Sequence, residues 1–382
     1  MDGDRVNWDG LLKWSLAHSD GTASARTLSE RDRQWFVEAM EANTVNVIKR
    51  MKEITDVMKV PQDILESQGV STEDIEGSIT VTGLLDELQE HVETIDMAND
   101  LHSIGGLVPL IDYLKNSHTG IRAKAEDVLT TVVQNNPKSQ QLVMEASGLE
   151  PLMFNLTTDP DSTVRAKALG AISSLIRNNK PGTTAFKLAN GYAALRDALS
   201  SDNTRFQRKA LNLIHYLLQE SPSDCSTVTD LGFPRLLVNL ASNDDSGVRE
   251  GALSSLVELA RDQTSAAASS LTSGGSRLKQ ILENRIDSVS NLDAAELAAA
   301  REERQLLDSL WSACYSSPSA LREKGLLVLP GEENPEQPPD VAGPLFEPPL
   351  RAWAAAKNTA QKEEQQQKNP LLLGAGPSGS DG

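Results

Sequence analysis

A period of about 42 residues runs through the middle of this chain and constrains it more than any other feature. Gly106, Gly148, Gly191 and Gly232 stand 42, 43 and 41 residues apart. Four residues after each comes a leucine (Leu110, Leu152, Leu195, Leu236), and eight after each another (Leu114, Leu156, Leu199, Leu240). That spacing sets both leucines on one stripe of a helix. Pro109, Pro151 and Pro234 fall near the start of these segments, where a missing N–H is harmless; the third repeat has Ala194 instead. A second helix is predicted 19 or 20 residues after each glycine, anchored by Ala125, Ala168, Ala210 and Ala252. Four residues on stand Leu129, Ile172, Ile214 and Leu256, and seven on Val132, Leu175, Leu217 and Leu259. This is the buried face of an amphipathic helix whose small anchor lets a neighbour approach closely. A shorter helix precedes each glycine, with Leu101, Val143 and Phe186 five residues before it; Thr227 breaks that column.

Two helices and a short third in this period are the pattern of armadillo and HEAT arrays. The expected fold is therefore all-α, an armadillo-repeat α-solenoid of about four repeats with helical caps and a disordered tail. Residues 1–80 read as an N-terminal helical and flexible region, 81–262 as the solenoid with its N-terminal cap helix. Residues 263–329 read as a C-terminal helical region that does not repeat, carrying Leu307, Leu310, Trp311 and Cys314 at helical spacing. Leu85, Leu88, Val92 and Ile95 predict the cap helix, which a solenoid end requires. Residues 330–382 read as the disordered tail, with seven prolines between 330 and 349.

Charge and composition narrow the function. The net charge of −18 is divided unevenly, at −12 over residues 1–100, zero over 101–261 and −6 over the rest. Acidic flanks repel a phosphate backbone, so nucleic acid is not an expected partner. No apolar run is long enough to cross a membrane, and the start of the chain lacks the apolar stretch of a secretion signal. Two distant cysteines, Cys225 and Cys314, suit a reducing compartment. The expected location is the cytosol, with the nucleus also open to it. The five histidines share no metal-ligand spacing, and no phosphate-binding loop or nucleophile motif occurs. An enzyme is not expected, nor is a cofactor. A protein-binding solenoid is.

Just before the alanine anchors lie Arg122 and Lys124, Arg165 and Lys167, Arg208 and Lys209, and Arg249. This basic ladder reads either as a strip that meets carboxylates on a partner, or as surface charge already satisfied by Asp127, Asp161 and Glu250. Armadillo proteins that carry nuclear-import peptides use asparagine and tryptophan ladders on the same helices. The corresponding columns here are Thr131, Ser174, Tyr216, Glu258 and Asp127, Gly170, Asn212, Ser254, so extended-peptide cargo is disfavoured.

Several stretches resemble the armadillo-type nucleotide exchange factors of heat shock protein 70, the Hsp70-binding-protein family, and most of all its plant members. They include Leu11-Leu12-Lys13-Trp14-Ser15, the run from Arg33 to Met40, Glu93-Thr94-Ile95-Asp96-Met97-Ala98-Asn99-Asp100 and Val133-Gln134-Asn135-Asn136. Val164-Arg165-Ala166-Lys167-Ala168 and the run from Pro318 to Glu332 complete the likeness. The resemblance implies a co-chaperone whose concave face embraces the chaperone's ATPase domain and promotes ADP release; no coiled-coil heptads argue for assembly, so a monomer is expected. By family position, Ala98, Asn99 and Lys209 match interface places, with Ala98 expected to leave room for the partner. The ladder adds Lys124, Arg165, Lys167 and Arg208. The apolar cluster Leu11, Leu12, Trp14 and Leu16 is either a segment that competes for the chaperone's substrate groove or a turn packed on the solenoid. The competing functional reading is an armadillo scaffold that binds another protein without exchange activity.

Overall fold

The computed structural model describes residues 47–67, 80–261 and 276–327, together with Arg31 and Gln34. The described residues up to Lys324 lie in one compact unit; of the second, 325–382, only 325–327 are among the described residues. The architecture is all-α. Each of four repeats has a short, a middle and a long helix. Repeat 1 comprises Ile95–Ser103, Leu107–Tyr113 and Thr119–Val133; repeat 2 comprises Pro137–Glu145, Leu149–Thr158 and Ser162–Ile176. Repeat 3 comprises Lys180–Leu188, Gly191–Leu199 and Thr204–Glu220; repeat 4 comprises Cys225–Asp230, Phe233–Leu240 and Ser246–Ala260.

The long helices stack side by side. The cap helix Val81–His91 packs on the long helix of repeat 1, each long helix packs on the next, and that of repeat 4 packs on Arg301–Tyr315. All four alanine anchors are 0% exposed, and the Leu129, Ile172, Ile214, Leu256 column is equally buried. The stack continues past repeat 4, where Glu303, Leu307 and Leu310 occupy the same i, i+4, i+7 stripe, Glu303 standing in the place of the alanine. Truncating one of these buried Leu or Ile side chains to alanine removes about 2–5 kcal/mol of stability.

Asparagine and aspartate set the punctuation. Asp161, Asn203 and Asp245 accept hydrogen bonds from backbone N–H groups in the first turn of the long helices of repeats 2, 3 and 4. In the Asn135-Asn136 and Asn178-Asn179 pairs, the first residue takes the left-handed conformation with φ of 52° and 56°. The second caps the following short helix, accepting from Ser139 N and Gly182 N, and donates back to Val132 O and Leu175 O. The paired asparagines end one repeat and begin the next.

Two expectations need correction. The cap helix does not run through Ile95. It ends with Val92 as its C-cap, and Thr94 opens the next helix by accepting from Met97 N, which leaves Ile95 55% exposed. In repeat 4, the glycine column is out of register by one. A Cβ on Gly106, Gly148 or Gly191 would lie 2.4–2.6 Å from the side chain of Leu101, Val143 or Phe186, so these glycines are demanded by the residue five positions earlier. Gly232 meets nothing and has φ +80°, so it serves the turn. The packed position is Phe233, five after the buried Val228 and followed by the fully buried Leu237 and Ala241, whereas Thr227 is exposed and Leu236 half-buried.

Candidate functional site

The row of long helices presents the surface on which the basic ladder lies, and most of that ladder is tied to the fold. Arg122 pairs with the buried Asp159 (Nε to Oδ2, 2.7 Å) and donates through Nη1 to Asn116 O and Ser117 O. Three positions before the anchor in the other repeats, Arg165, Gln207 and Arg249 likewise cap the preceding middle-helix end or its loop. Arg165 Nε donates to Leu156 O at 3.0 Å, Gln207 Nε2 to Ser201 O at 2.7 Å, and Arg249 Nη1 to Asn243 O at 2.8 Å. The Arg165 guanidinium also lies 5.2 Å above the Phe206 ring. Arg249 and Arg285 converge on Glu303, at 3.0 and 2.7 Å. Burial pushes the Glu303 carboxyl up, but the two guanidinium groups outweigh it and hold it below the usual range.

The lysines reach along the stack to the preceding helix. Lys124 pairs with Asp86 on the cap helix and donates to Gln89 Oε1 at 2.7 Å. Lys167 pairs with Asp127 at 2.6 Å. Lys209 finds a backbone carbonyl, Ala166 O, at 2.9 Å. Arg208 is exposed and turns the other way, to Asp245 on repeat 4, with Nε to Oδ1 at 2.7 Å. The Arg208 hydrogen bond and the Val248 N–H lower the Asp245 carboxyl to about 2. Of the acids expected to satisfy the ladder, Asp127 does so; Asp161 serves the N-cap, accepting from Thr163 N and Val164 N. Glu250 lies near Glu302 and Glu303; burial, then those carboxylates, push its own carboxyl up.

Ala98 and Asn99 sit on the short helix of repeat 1, which packs against the long helix of repeat 1 and the short helix of repeat 2. Ala98 is 3% exposed, so its small side chain seats that helix and does not itself clear space on the surface. Asn99 is half-buried and accepts from Ser139 Oγ at 3.2 Å. Leu11, Leu12, Trp14 and Leu16 lie outside the described residues. The sequence reading missed Asp86, Asp159, Asp245 and Glu303 as partners. Asp86, Asp159 and Asp245 stand 37 or 38 residues from their ladder bases, close to one period of the array, and Glu303 stands 54 from Arg249, on the helix that follows the last repeat. Among the described residues no group of three His, Cys, Asp or Glu is placed to hold a metal ion. Burial pushes the Cys314 thiol up to about 11, away from nucleophilic use.

Two family models meet on this chain. Residues 8–101 match "Nucleotide exchange factor Fes1", and residues 97–232 match the "SIL1/FES1/HPBP1 C-terminal domain". The chain belongs to this exchange-factor family. Its second matched region begins just before Ala98 and ends at the turn glycine of repeat 4, so it takes in most of the ladder. Among curated relatives, "Hsp70-binding protein 1" of Homo sapiens is 25% identical over 316 residues, covering 82% of this chain and 86% of that protein. "Hsp70 nucleotide exchange factor FES1" of Candida albicans is 28% identical over 241 residues, covering 62% and 79%. Among solved structures, a designed armadillo repeat protein in complex with the peptide (KR)4 superposes with a TM-score of 0.55 at 16% identity, over 69% of this chain and 99% of that one. That likeness concerns the fold. No helix among the described residues is long and apolar enough to cross a membrane.

Proposed function

We propose that this protein is a nucleotide exchange factor for heat shock protein 70, a monomeric cytosolic co-chaperone that grips the chaperone's ATPase domain with the face of its long helices and promotes ADP release. The observation that carries this reading is the pair of matched family regions, which run from residue 8 to residue 232 and include an exchange-factor family by name. The activity requires no covalent step. It requires that the face bind the opened, nucleotide-free ATPase domain more tightly than the ADP-closed one, because equal affinity for both states shifts nothing. The coupling is reciprocal: a factor that weakens ADP binding by about 5–150-fold is itself weakened by ADP to the same degree.

Within this reading, Asn99, Lys209 and Arg208 are contact residues, with Ala98 holding the helix that carries Asn99. Lys124, Arg165 and Lys167 keep the rungs in register beneath them. The segment with Leu11, Leu12, Trp14 and Leu16 competes for the chaperone's substrate groove. Release of a fluorescent ADP analogue from the chaperone, followed with and without excess protein, tests the function. Acceleration that saturates with concentration is expected. No acceleration at excess would remove the reading and leave the scaffold alternative.

A further inference from the structure

The lysine ladder is built on one rule, and the rule is broken once. Lysines stand one residue before the alanine anchor in repeats 1, 2 and 3, as Lys124, Lys167 and Lys209. Lys167 is neutralised by Asp127, two residues after the anchor of the preceding repeat, and Lys124 by Asp86 on the cap helix. For Lys209 the corresponding place is Gly170, two residues after Ala168. There is no carboxylate there. A Cβ on Gly170 would lie 3.1 Å from Lys209 Nζ, so the ammonium occupies the space an aspartate side chain would fill. Its hydrogen bond goes to a carbonyl, Ala166 O, and not to an acid. The next rung has neither partner of the pair, with Asn212 in the acid column and Gly251 in the lysine column.

We propose that Gly170 and Lys209 form an acid-receiving point on the long-helix face, where a carboxylate of the bound partner takes the place that Asp127 takes for Lys167. Gly170 is the positioning residue: it withholds the internal counter-charge, and the ammonium that lies over it is left to an external one. Both residues are at least partly solvent-exposed, so a partner reaches them. Burial lowers the Lys209 pKa, and the charge of Lys167 adds to this against the pull of Asp127 and Glu126. A protein carboxylate placed there forms a charge-assisted hydrogen bond of the stronger kind. The partner is therefore one that presents an acidic side chain. That the partner is the chaperone rests on the function proposed above.

The test is Gly170→Asp, which restores the ladder's rule inside the protein, set beside Gly170→Asn, which adds the same bulk without the charge. In the free protein, limited acylation read by mass spectrometry should label Lys209 faster than Lys124 and Lys167, and Gly170→Asp should slow Lys209 to their rate. This readout needs no partner. With the heat-shock chaperone, Gly170→Asp should weaken binding and exchange at least tenfold, while Gly170→Asn keeps most of both. Lys209→Gln should match the Asp variant, and adding Gly170→Asp to it should cost nothing more. Binding unchanged in Gly170→Asp, or lost equally in Gly170→Asn, would overturn the proposal. If the unaltered protein leaves ADP release unaffected, the assignment of the chaperone fails, and the acylation rates still decide whether Lys209 is the unneutralised amine.

Discussion

Gly191 and Gly232 share one column of the repeat but are needed for unrelated reasons. An alanine at 191 would put its Cβ 2.4 Å from Cε1 and Cζ of Phe186 and 2.5 Å from Cδ1. Phe186 is 0% exposed, so the ring has no solvent to swing into. Either the ring leaves its rotamer or the turn between the short and middle helices opens. Overpacking of this kind costs about 1–3 kcal/mol. The gain in helix propensity from Gly to Ala offsets little, since Gly191 is the first residue of its helix. The cost should vanish when the ring is gone. Phe186→Ala alone loses about 3–5 kcal/mol, and adding Gly191→Ala to it should be close to neutral, a coupling nearly as large as the single-variant cost. At Gly232 there is open space and φ +80°, so Gly232→Asn should lose no more than about 1 kcal/mol and Gly232→Val clearly more. Urea unfolding followed by circular dichroism gives all five values. Equal cost of Gly191→Ala with and without the Phe186 ring would refute the reasoning.

Three further outcomes follow from buried or capped groups. Glu126 is 0% exposed, has one oxygen without a hydrogen-bond partner, and is pushed by burial up to about 8. Its folded pKa lies above the unfolded value, so its contribution to stability is fullest below about 4.5 and is lost as pH rises towards 8; Glu126→Gln should remove that part of the slope in thermal unfolding. Glu303 is the opposite case. Its lowered carboxyl stabilises above the ordinary carboxylate pKa and loses this as pH falls through the folded value, and Glu303→Gln, which strands Arg249 and Arg285, should cost about 3–5 kcal/mol near neutrality. Asn179→Ala removes the cap to Gly182 N and should lower stability by about 0.5–2 kcal/mol, while Asn178→Gly, at φ 56°, should be tolerated.

Burial was legible because it depends on spacing within one helix. Every alanine anchor and every aliphatic residue four and seven positions on lies in the core, as the period alone indicates. Register between helices was less so. Leu85, Leu88, Val92 and Ile95 keep helical spacing across a real break, because apolar spacing says nothing of Thr94, whose hydroxyl starts a new helix. Gly232 matched its column by type while serving a different need, and the shift to Phe233 shows only in φ and in what a Cβ would meet. The ladder was legible as charge but not as pairing. Whether Lys167 is free depends on Asp127 forty residues away, and Lys209 differs from it through a residue, Gly170, that carries no charge at all.

A pile of like slices has no natural length, since every slice offers the next an identical seat. Here an acid, and not an alanine, meets the last slice at the far end. A slice duplicated after repeat 4 would bring an alanine to Arg249 and leave that guanidinium in the interior without the carboxylate it now shares with Arg285. A copy of repeat 1 set between repeats 1 and 2 would bring its own lysine and aspartate, yet it would part Arg122 from Asp159 in the same way. Lengthening is thus opposed at both places by a guanidinium that only its present neighbour answers, and Glu303 is that neighbour at the last seam.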